Sequence, residues 1–312
     1  MANIYVFGHK NPDNDSICSA AAYTWYLNQD TQEGECYVST RLGAVPPETA
    51  WLFEQFGATE ELPAPLPEFG ADDPAPAVIL VDHNEYSQSA DGIEDMDIRE
   101  VVDHHRIGGI VTAQPISFVN LPYGSTATVI AEHFMESEIP MPTWVAGILL
   151  GALLTDTVIL KSPTTTEVDR EICEVLSEAL ELDPIEFGMT LFKQRSAATP
   201  FQAAAVLTND LKEYKSNGKV IGIVQYENVD LDDVNEHREN IFASMKQIAT
   251  SRGYDVFAFM ATDIMREGTE LFVVGETAFA ETAFEVDFST GSCWMPGVLS
   301  RKKQVAAAFM GV

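Results

Sequence analysis

Short apolar runs alternate with stretches of helical period through the first two-thirds of the chain. Asn3–Gly8 carries consecutive Ile, Tyr, Val and Phe and predicts a buried strand, while Asp15–Asn28 sets Ile17, Ala20, Ala21 and Trp25 on one face and predicts a helix. Ala77–Val81 and Arg99–Val102 predict further strands, each running into an aspartate, and Ser125–Met135 and Thr143–Leu154 predict helices. Strand and helix in this rhythm imply a parallel sheet with helices on both faces, where ligands bind at the carboxyl ends of the strands. The apolar period fails in LFKQRSAATP, Leu191–Pro200, so residues 191–199 are expected to be a hinge linker between domains of residues 1–190 and 200–312. In the second, Lys219–Gln225, Asp255–Met260 and Glu270–Val274 predict strands. Asp230–Arg252 predicts one amphipathic helix, with Val234, Ile241, Met245 and Ile248 in phase and Gly253 as its stop. The order strand, helix, strand, strand implies a smaller α/β domain built on a mixed sheet.

Composition narrows the class. With 312 residues and 46% hydrophobic content the chain reads as a soluble globular protein of two domains. The N-terminal MANIYVFGHKNPD lacks a basic region and a signal-length apolar run, and the longest apolar stretch, Trp144–Leu154, has the length of a buried helix. A cytoplasmic location is therefore expected. Cys18, Cys36, Cys173 and Cys293 are widely spaced with no C-x-x-C pair, which argues for ordinary reduced thiols over a zinc knuckle, redox motif or disulfide framework.

Charge changes the picture more. Forty-eight acidic residues against 18 basic ones give a net charge of −30. A field of that sign disfavours nucleic acid and anionic membrane as partners. It would also repel a polyphosphate unless cations reverse the potential locally. The acids are spread along the chain rather than gathered in a tail, which favours halophilic solvation in a salt-rich cytoplasm over a patch for a basic partner.

Four of the six histidines fall in three short motifs. In GHKNPDNDS, Gly8–Ser16, His9 follows a strand, and Asp13 and Asp15 precede a helix that Asp15 alone could cap. VDHNE, Val81–Glu85, puts Asp82 and His83 at a strand end. In VVDHHR, Val101–Arg106, neighbouring strand residues point to opposite faces. So one of His104 and His105 is expected to ligate, and the other to reach substrate or a supporting position. Asp156 ends the Trp144–Leu154 element in TDT, where burial is costly unless the carboxylate is paired or metal-bound. Asp13, Asp15, Asp82 and Asp156, with His9 and His104, are thus expected to converge from strand ends of one sheet. Four carboxylates within ~5 Å would repel by several kcal/mol each at an effective dielectric of about 20, and two divalent cations turn that repulsion into binding. Oxygen ligands mixed with imidazole and no thiolate favour Mn or Co, with Mg or Zn as substitutes. Near the end of the chain, SRKKQ at Ser300–Gln304 gathers three of the 18 basic residues, and Arg301 with Lys302 suits phosphate recognition. Lys212, isolated in the acidic stretch Asn209–Glu213, is a further cation candidate.

Taken together, GHKNPDND, RLGAVPPETA at Arg41–Ala50, VDHNE, VVDHHRIGG, TDT with the downstream KSPTTT, and GVLSRKKQ resemble the family II, manganese-dependent inorganic pyrophosphatases of the DHH phosphoesterase superfamily. The DHH triplet marks the superfamily, and SRKKQ after a two-domain spacing narrows it to the pyrophosphatase branch. The resemblance implies one metal on His9, Asp13 and Asp82, and a second on Asp15, Asp82, His104 and Asp156. Asp82 would bridge the two Mn²⁺ ions, with Co²⁺ or Mg²⁺ as substitutes and further Mg²⁺ arriving with substrate. It assigns His105, Lys212, Arg301 and Lys302 to the phosphate oxygens of pyrophosphate in a cleft between the domains, a metal-bridging hydroxide as nucleophile, and a homodimer as one assembly state. Asn14 stands where relatives usually carry Thr. A sister DHH phosphoesterase acting on polyphosphate or short or cyclic oligonucleotides is the alternative; the glycine-rich G-G-G-H-type ending of the nucleotide-cleaving branch is not found here.

Overall fold

The apolar runs that end on aspartate become the middle of an all-parallel sheet. The computed structural model describes residues 2–29, 34–70, 74–137, 139–197, 201–209 and 211–312, and divides into two compact units, Met1–Ala198 and Thr199–Val312. In the first, strands β1 (Ala2–Phe7), β2 (Glu35–Arg41), β3 (Ala64–Pro65), β4 (Ala77–Val81), β5 (Asp97–Asp103) and β6 (Ser117–Asn120) lie in the order β3-β2-β1-β4-β5-β6. The order reverses between β1 and β4, and in open parallel sheets such a reversal leaves a crevice at the carboxyl ends. Both strands that flank it run straight into site candidates, His9 after β1 and Asp82 after β4.

Among the described residues, the α-helices of this unit are α1 (Asn14–Leu27), α2 (Pro47–Gln55), α3 (Thr126–Glu136), α4 (Thr143–Asp156), α5 (Glu167–Leu180) and α6 (Pro184–Ala197). Helix α4, TWVAGILLGALLTD, is apolar all round because α1, α2, α3, α5 and α6 all pack on it. Its Gly151 lets α2 approach closely, since a Cβ there would sit 2.6 Å from Leu52 Cδ1. Helices were expected on both faces of the sheet. On one face, however, Phe7, Val78, Leu80, Ile98 and Val101 are covered by Ala90 and Ile93 of the β4–β5 connection, which holds only 3₁₀ turns. The expected linker 191–199 is helical through Ala197, with Leu191 and Phe192 buried, so its first residues belong to α6.

The second unit holds α7 (Ala203–Val206), β7 (Lys212–Ser216), β8 (Lys219–Asn228), α8 (Asp232–Glu236), α9 (Arg238–Arg252), β9 (Val256–Asp263), β10 (Gly268–Gly275), α10 (Thr277–Phe284), β11 (Ser292–Pro296), a π-helical turn over Arg301–Ala306 and α11 (Ala307–Met310). The sheet is mixed, in the order β11-β10-β9-β8-β7, with β8 and β9 parallel and the other pairs antiparallel. Strand alternation builds two cores. Phe257, Phe259 and Ala261 face Ile241 and Met245 of α9, whereas Val256, Ala258 and Met260 face Ala280, Val305 and Phe309. The single helix expected over Asp230–Arg252 breaks at His237, whose φ of −102° and ψ of 16° leave the helical basin; Val234, Ile241 and Met245 are nonetheless buried as the period required. The four cysteines are free thiols. Among the described residues no helix is long and apolar enough to cross a membrane.

Candidate metal centre

The turn between β1 and α1 supplies the first two side chains. Gly8 is needed there because a Cβ would collide with Ser16. His9 Nδ1 donates to Lys10 O at 2.9 Å, which turns Nε2 toward Asp13 Oδ1 at 3.5 Å and Asp82 Oδ2 at 3.4 Å. Asp13, rather than Asp15, caps α1 by accepting from Ser16 N at 2.9 Å. Asp15 lies inside α1, fully buried, and its carboxylate crosses to the amino end of α3, accepting from Thr126 N at 2.6 Å and Ala127 N at 2.9 Å. Exposed helix N–H groups are a good seat for a carboxylate.

Asp82 closes the group from the end of β4. Its φ of +60° is rare for a residue with a Cβ and holds the side chain over the crevice. Its Oδ2 faces His9, while its Oδ1 lies 2.9 Å from Thr126 Oγ1, which donates to it, and 3.5 Å from His104 Nε2. His104 Nδ1 donates to Tyr123 O at 3.0 Å, and Nε2 comes within 3.4 Å of Asp156 Oδ2. Asp15 and Asp156 therefore come from helices, not from strand ends: Asp156 is the last residue of α4, whose Val145–Thr155 stretch is buried throughout. The expectation that His104 and His105 face opposite sides is also corrected. Strand β5 ends at Asp103, alternation stops there, and the two rings lie 4.2 Å apart.

Asp103, unnoticed within the DHH triplet, organises that turn. Fully buried, its Oδ1 accepts from His104 N at 2.8 Å, His105 N at 3.1 Å and His105 Nδ1 at 2.9 Å, while Asn84 Nδ2 donates to Oδ2. His83 faces away, bonded to Val81 O and Ser89 Oγ, and burial pushes it down to about 4, so it is a neutral core residue. Asn14 also points away from the cluster: it donates to Thr155 Oγ1 at 3.1 Å and accepts from Thr49 Oγ1 at 3.0 Å, tying α1 to the turn of α4 that bears Asp156.

Three sets of side chains bring one ligand atom each within 4.8 Å of one another: His9, Asp13 and Asp82; Asp15, His104 and Asp156; and Asp82, His104 and His105. Their electrostatics call for cations. Burial, then the Asp82 and Asp13 charges, hold the Asp15 carboxyl well above its usual range, and burial with Asp15 and Asp82 does the same to Asp156. Burial also raises Asp82, against the His9 hydrogen bond. Burial alone would lower His9, yet the Asp13 and Asp82 carboxylates outweigh it and raise the imidazole to about 11. His104 Nε2 is buried with no hydrogen-bond partner. An orphaned imidazole nitrogen among crowded carboxylates suits divalent cations with mixed N and O ligands. The two oxygens of Asp82 address the first two sets separately. A cavity of ≈ 420 Å³ lies beside them, lined by His9, Lys10, Asp82, His105 and Arg106 among others. Lys212, which opens β7, and Arg301 and Lys302, which open the π turn, belong to the second unit.

Comparison with known proteins places the chain among relatives of known family. Residues 3–153 match the model of the DHH family, N-terminal domain, and residues 189–312 that of the DHHA2 domain. The chain is 39% identical to the manganese-dependent inorganic pyrophosphatase of Methanocaldococcus jannaschii, over 96% of each chain. It is also 39% identical to that of Methanothrix thermoacetophila, over 97% of this chain and 96% of the relative. A family II inorganic pyrophosphatase structure from Methanococcus jannaschii superposes with a TM-score of 0.60 at 37% identity, covering 98% of both chains.

Proposed function

Since the chain belongs to the manganese-dependent inorganic pyrophosphatase family, we propose that it hydrolyses inorganic pyrophosphate to two phosphates at the Asp/His cluster, using two Mn²⁺ ions. The observation that carries the reading is the pair of three-residue sets addressed by opposite oxygens of Asp82, with the His104 nitrogen orphaned between carboxylates. His9, Asp13 and Asp82 would hold one ion, and Asp15, Asp82, His104 and Asp156 the other; Co²⁺ or Mg²⁺ would substitute. Bound there, the ions would acidify the attacking water and neutralise charge on the substrate.

The side chains have complementary tasks. Asp82 keeps the two sets in fixed register, and Thr126 holds Asp82 through Oγ1. His105, whose Nδ1 is engaged by Asp103, keeps Nε2 for a phosphate oxygen. Lys212, Arg301 and Lys302 offset the negative charge that grows on the leaving phosphate. The net charge of −30 makes such cations necessary, and we assign it to solvation in a salt-rich cytoplasm. Phosphate release from pyrophosphate, tripolyphosphate and a cyclic dinucleotide, each with Mn²⁺, tests the reading. Pyrophosphate should be strongly preferred. Preference for either of the others would move the chain to the polyphosphate- or nucleotide-cleaving branch.

A further inference from the structure

The segment Gly297–Gln304 leaves β11 and enters the π turn without a strand partner; Gly297 N donates to Glu267 O at 2.7 Å and Thr269 Oγ1 donates to Val298 O at 2.5 Å, and the groups that follow need partners of their own. Two glutamines supply several of them. Gln304 Oε1 accepts from Leu299 N and Ser300 N, both at 2.9 Å, and its Nε2 donates to Gly297 O at 2.8 Å. Gln225, half-buried on β8, reaches across from the sheet. Its Nε2 lies 3.0 Å from Leu299 O, 3.1 Å from Thr262 Oγ1 and 3.0 Å from Glu227 Oε1, and its Oε1 accepts from Arg301 N at 3.2 Å.

The residues held this way, Leu299 to Arg301, include the first cation of the SRKKQ motif and directly precede the second, Lys302. Ser300 Oγ accepts from Lys303 N at 3.2 Å and closes the turn. Long cationic side chains gain little from charge alone unless their backbone is fixed, because each must give up its rotamer freedom to meet a phosphate. The amide of Gln225 supplies both the donor for Leu299 O and the acceptor for Arg301 N. Gln304 folds the loop upon itself, Gln225 ties Leu299 and Arg301 to β8, and Thr269 of β10 holds the preceding Val298 by donating to its carbonyl.

We propose that Gln225 is a positioning residue for substrate binding, fixing the backbone from which Arg301 and Lys302 reach the phosphate oxygens. This rests on the reading of those two cations as substrate ligands. Gln225→Leu removes both bonds at similar size, and Gln225→Glu keeps the acceptor while losing the donor.

The test measures kcat and KM for pyrophosphate, Mn²⁺ affinity and melting temperature in five forms: the parent, the two Gln225 variants, Arg301→Ala/Lys302→Ala, and the latter combined with Gln225→Leu. We expect Gln225→Leu to cut kcat/KM roughly 10–100-fold, as small misplacements of binding groups do, with Mn²⁺ affinity unchanged. Gln225→Glu should fall between it and the parent, and settles the matter if the leucine variant does not fold. In the Arg301→Ala/Lys302→Ala background the same change should cost nothing further. An equal loss in both backgrounds, or no loss in either, overturns the positioning role. Full activity of Arg301→Ala/Lys302→Ala would instead overturn the assignment of the cations themselves.

Discussion

Thr126→Val isolates a single bond at the point where the two ligand sets meet. Thr126 has no exposed surface, and its Oγ1 donates to Asp82 Oδ1 at 2.9 Å while its backbone N–H donates to Asp15 Oδ2 at 2.6 Å. Valine keeps the shape and the amide, so Asp15 stays seated and only the hydroxyl contact is lost. A hydrogen bond to a charged acceptor contributes about 1.5–3 kcal/mol, equivalent to about 10–150-fold in an equilibrium constant. Without metal, burial disfavours the charged form of Asp82. The loss should therefore fall mainly on the metal-loaded form, where the carboxylate must be ionised. We expect Mn²⁺ affinity to weaken about 10–100-fold, the range for groups that orient metal ligands. The denaturation midpoint of the metal-free protein should move much less. Calorimetric titration of Mn²⁺ into chelator-stripped protein measures the first quantity and circular dichroism in urea the second. Thr126→Ser, which restores the hydroxyl, should recover most of the affinity. If Thr126→Val binds Mn²⁺ as the parent does, Asp82 is not oriented by Thr126 and its role as the shared ligand loses its support.

Asp82→Asn should abolish turnover and reduce Mn²⁺ affinity more than Asp13→Asn, because Asp82 faces both sets and Asp13 only one; equal losses in dialysis would contradict the bridge. His9 is raised from 6.5 to about 11 in the folded, metal-free chain, burial being outweighed by Asp13 and Asp82. A raised imidazole contributes its stability fully below about pH 6.5 and loses it as pH climbs toward 11. The metal-free denaturation midpoint should therefore fall from pH 6.5 upward, while Mn²⁺ affinity rises as the competing proton leaves; a pH-independent affinity would speak against His9 as a ligand. Screening shortens from ~30 Å at 0.01 M salt to ~3 Å at 1 M, so the melting temperature should climb with KCl given the charge of −30. A flat profile would favour an acidic surface for a basic partner.

The site was legible in the sequence wherever a ligand sits beside a short signature. His9, Asp13 and Asp82 end or follow strands that their own β-branched runs announce, and Ala77–Val81 is found where the pattern placed it. Asp15 opened an expected helix and Asp156 followed one, yet both were grouped with the strand ends, because a local motif does not reveal which element carries a side chain to the site. Thr126 and Asp103 escaped notice for a different reason. Thr126 acts on a residue 44 positions away, and Asp103 orders two histidines through backbone amides that no composition signal marks. Strand β7, KEYKS, is mostly exposed at the sheet edge and lacks the continuous apolar run that gave away β9. The cations of SRKKQ stood out against the acidic background, but Gln225, which holds their backbone, is an ordinary strand residue until its contacts are seen.

The central claim is that two Mn²⁺ ions, sharing Asp82, make this chain a pyrophosphatase. It is tested most directly by adding Mn²⁺ stepwise to chelator-stripped protein at a concentration well above the metal's dissociation constants, while following phosphate release from pyrophosphate. We expect activity to climb and level off when both ligand sets are filled, with bound Mn²⁺ counted by atomic absorption reaching two per chain as the three-residue sets imply. A plateau already complete at a single bound ion, or no phosphate release at any loading, would contradict it.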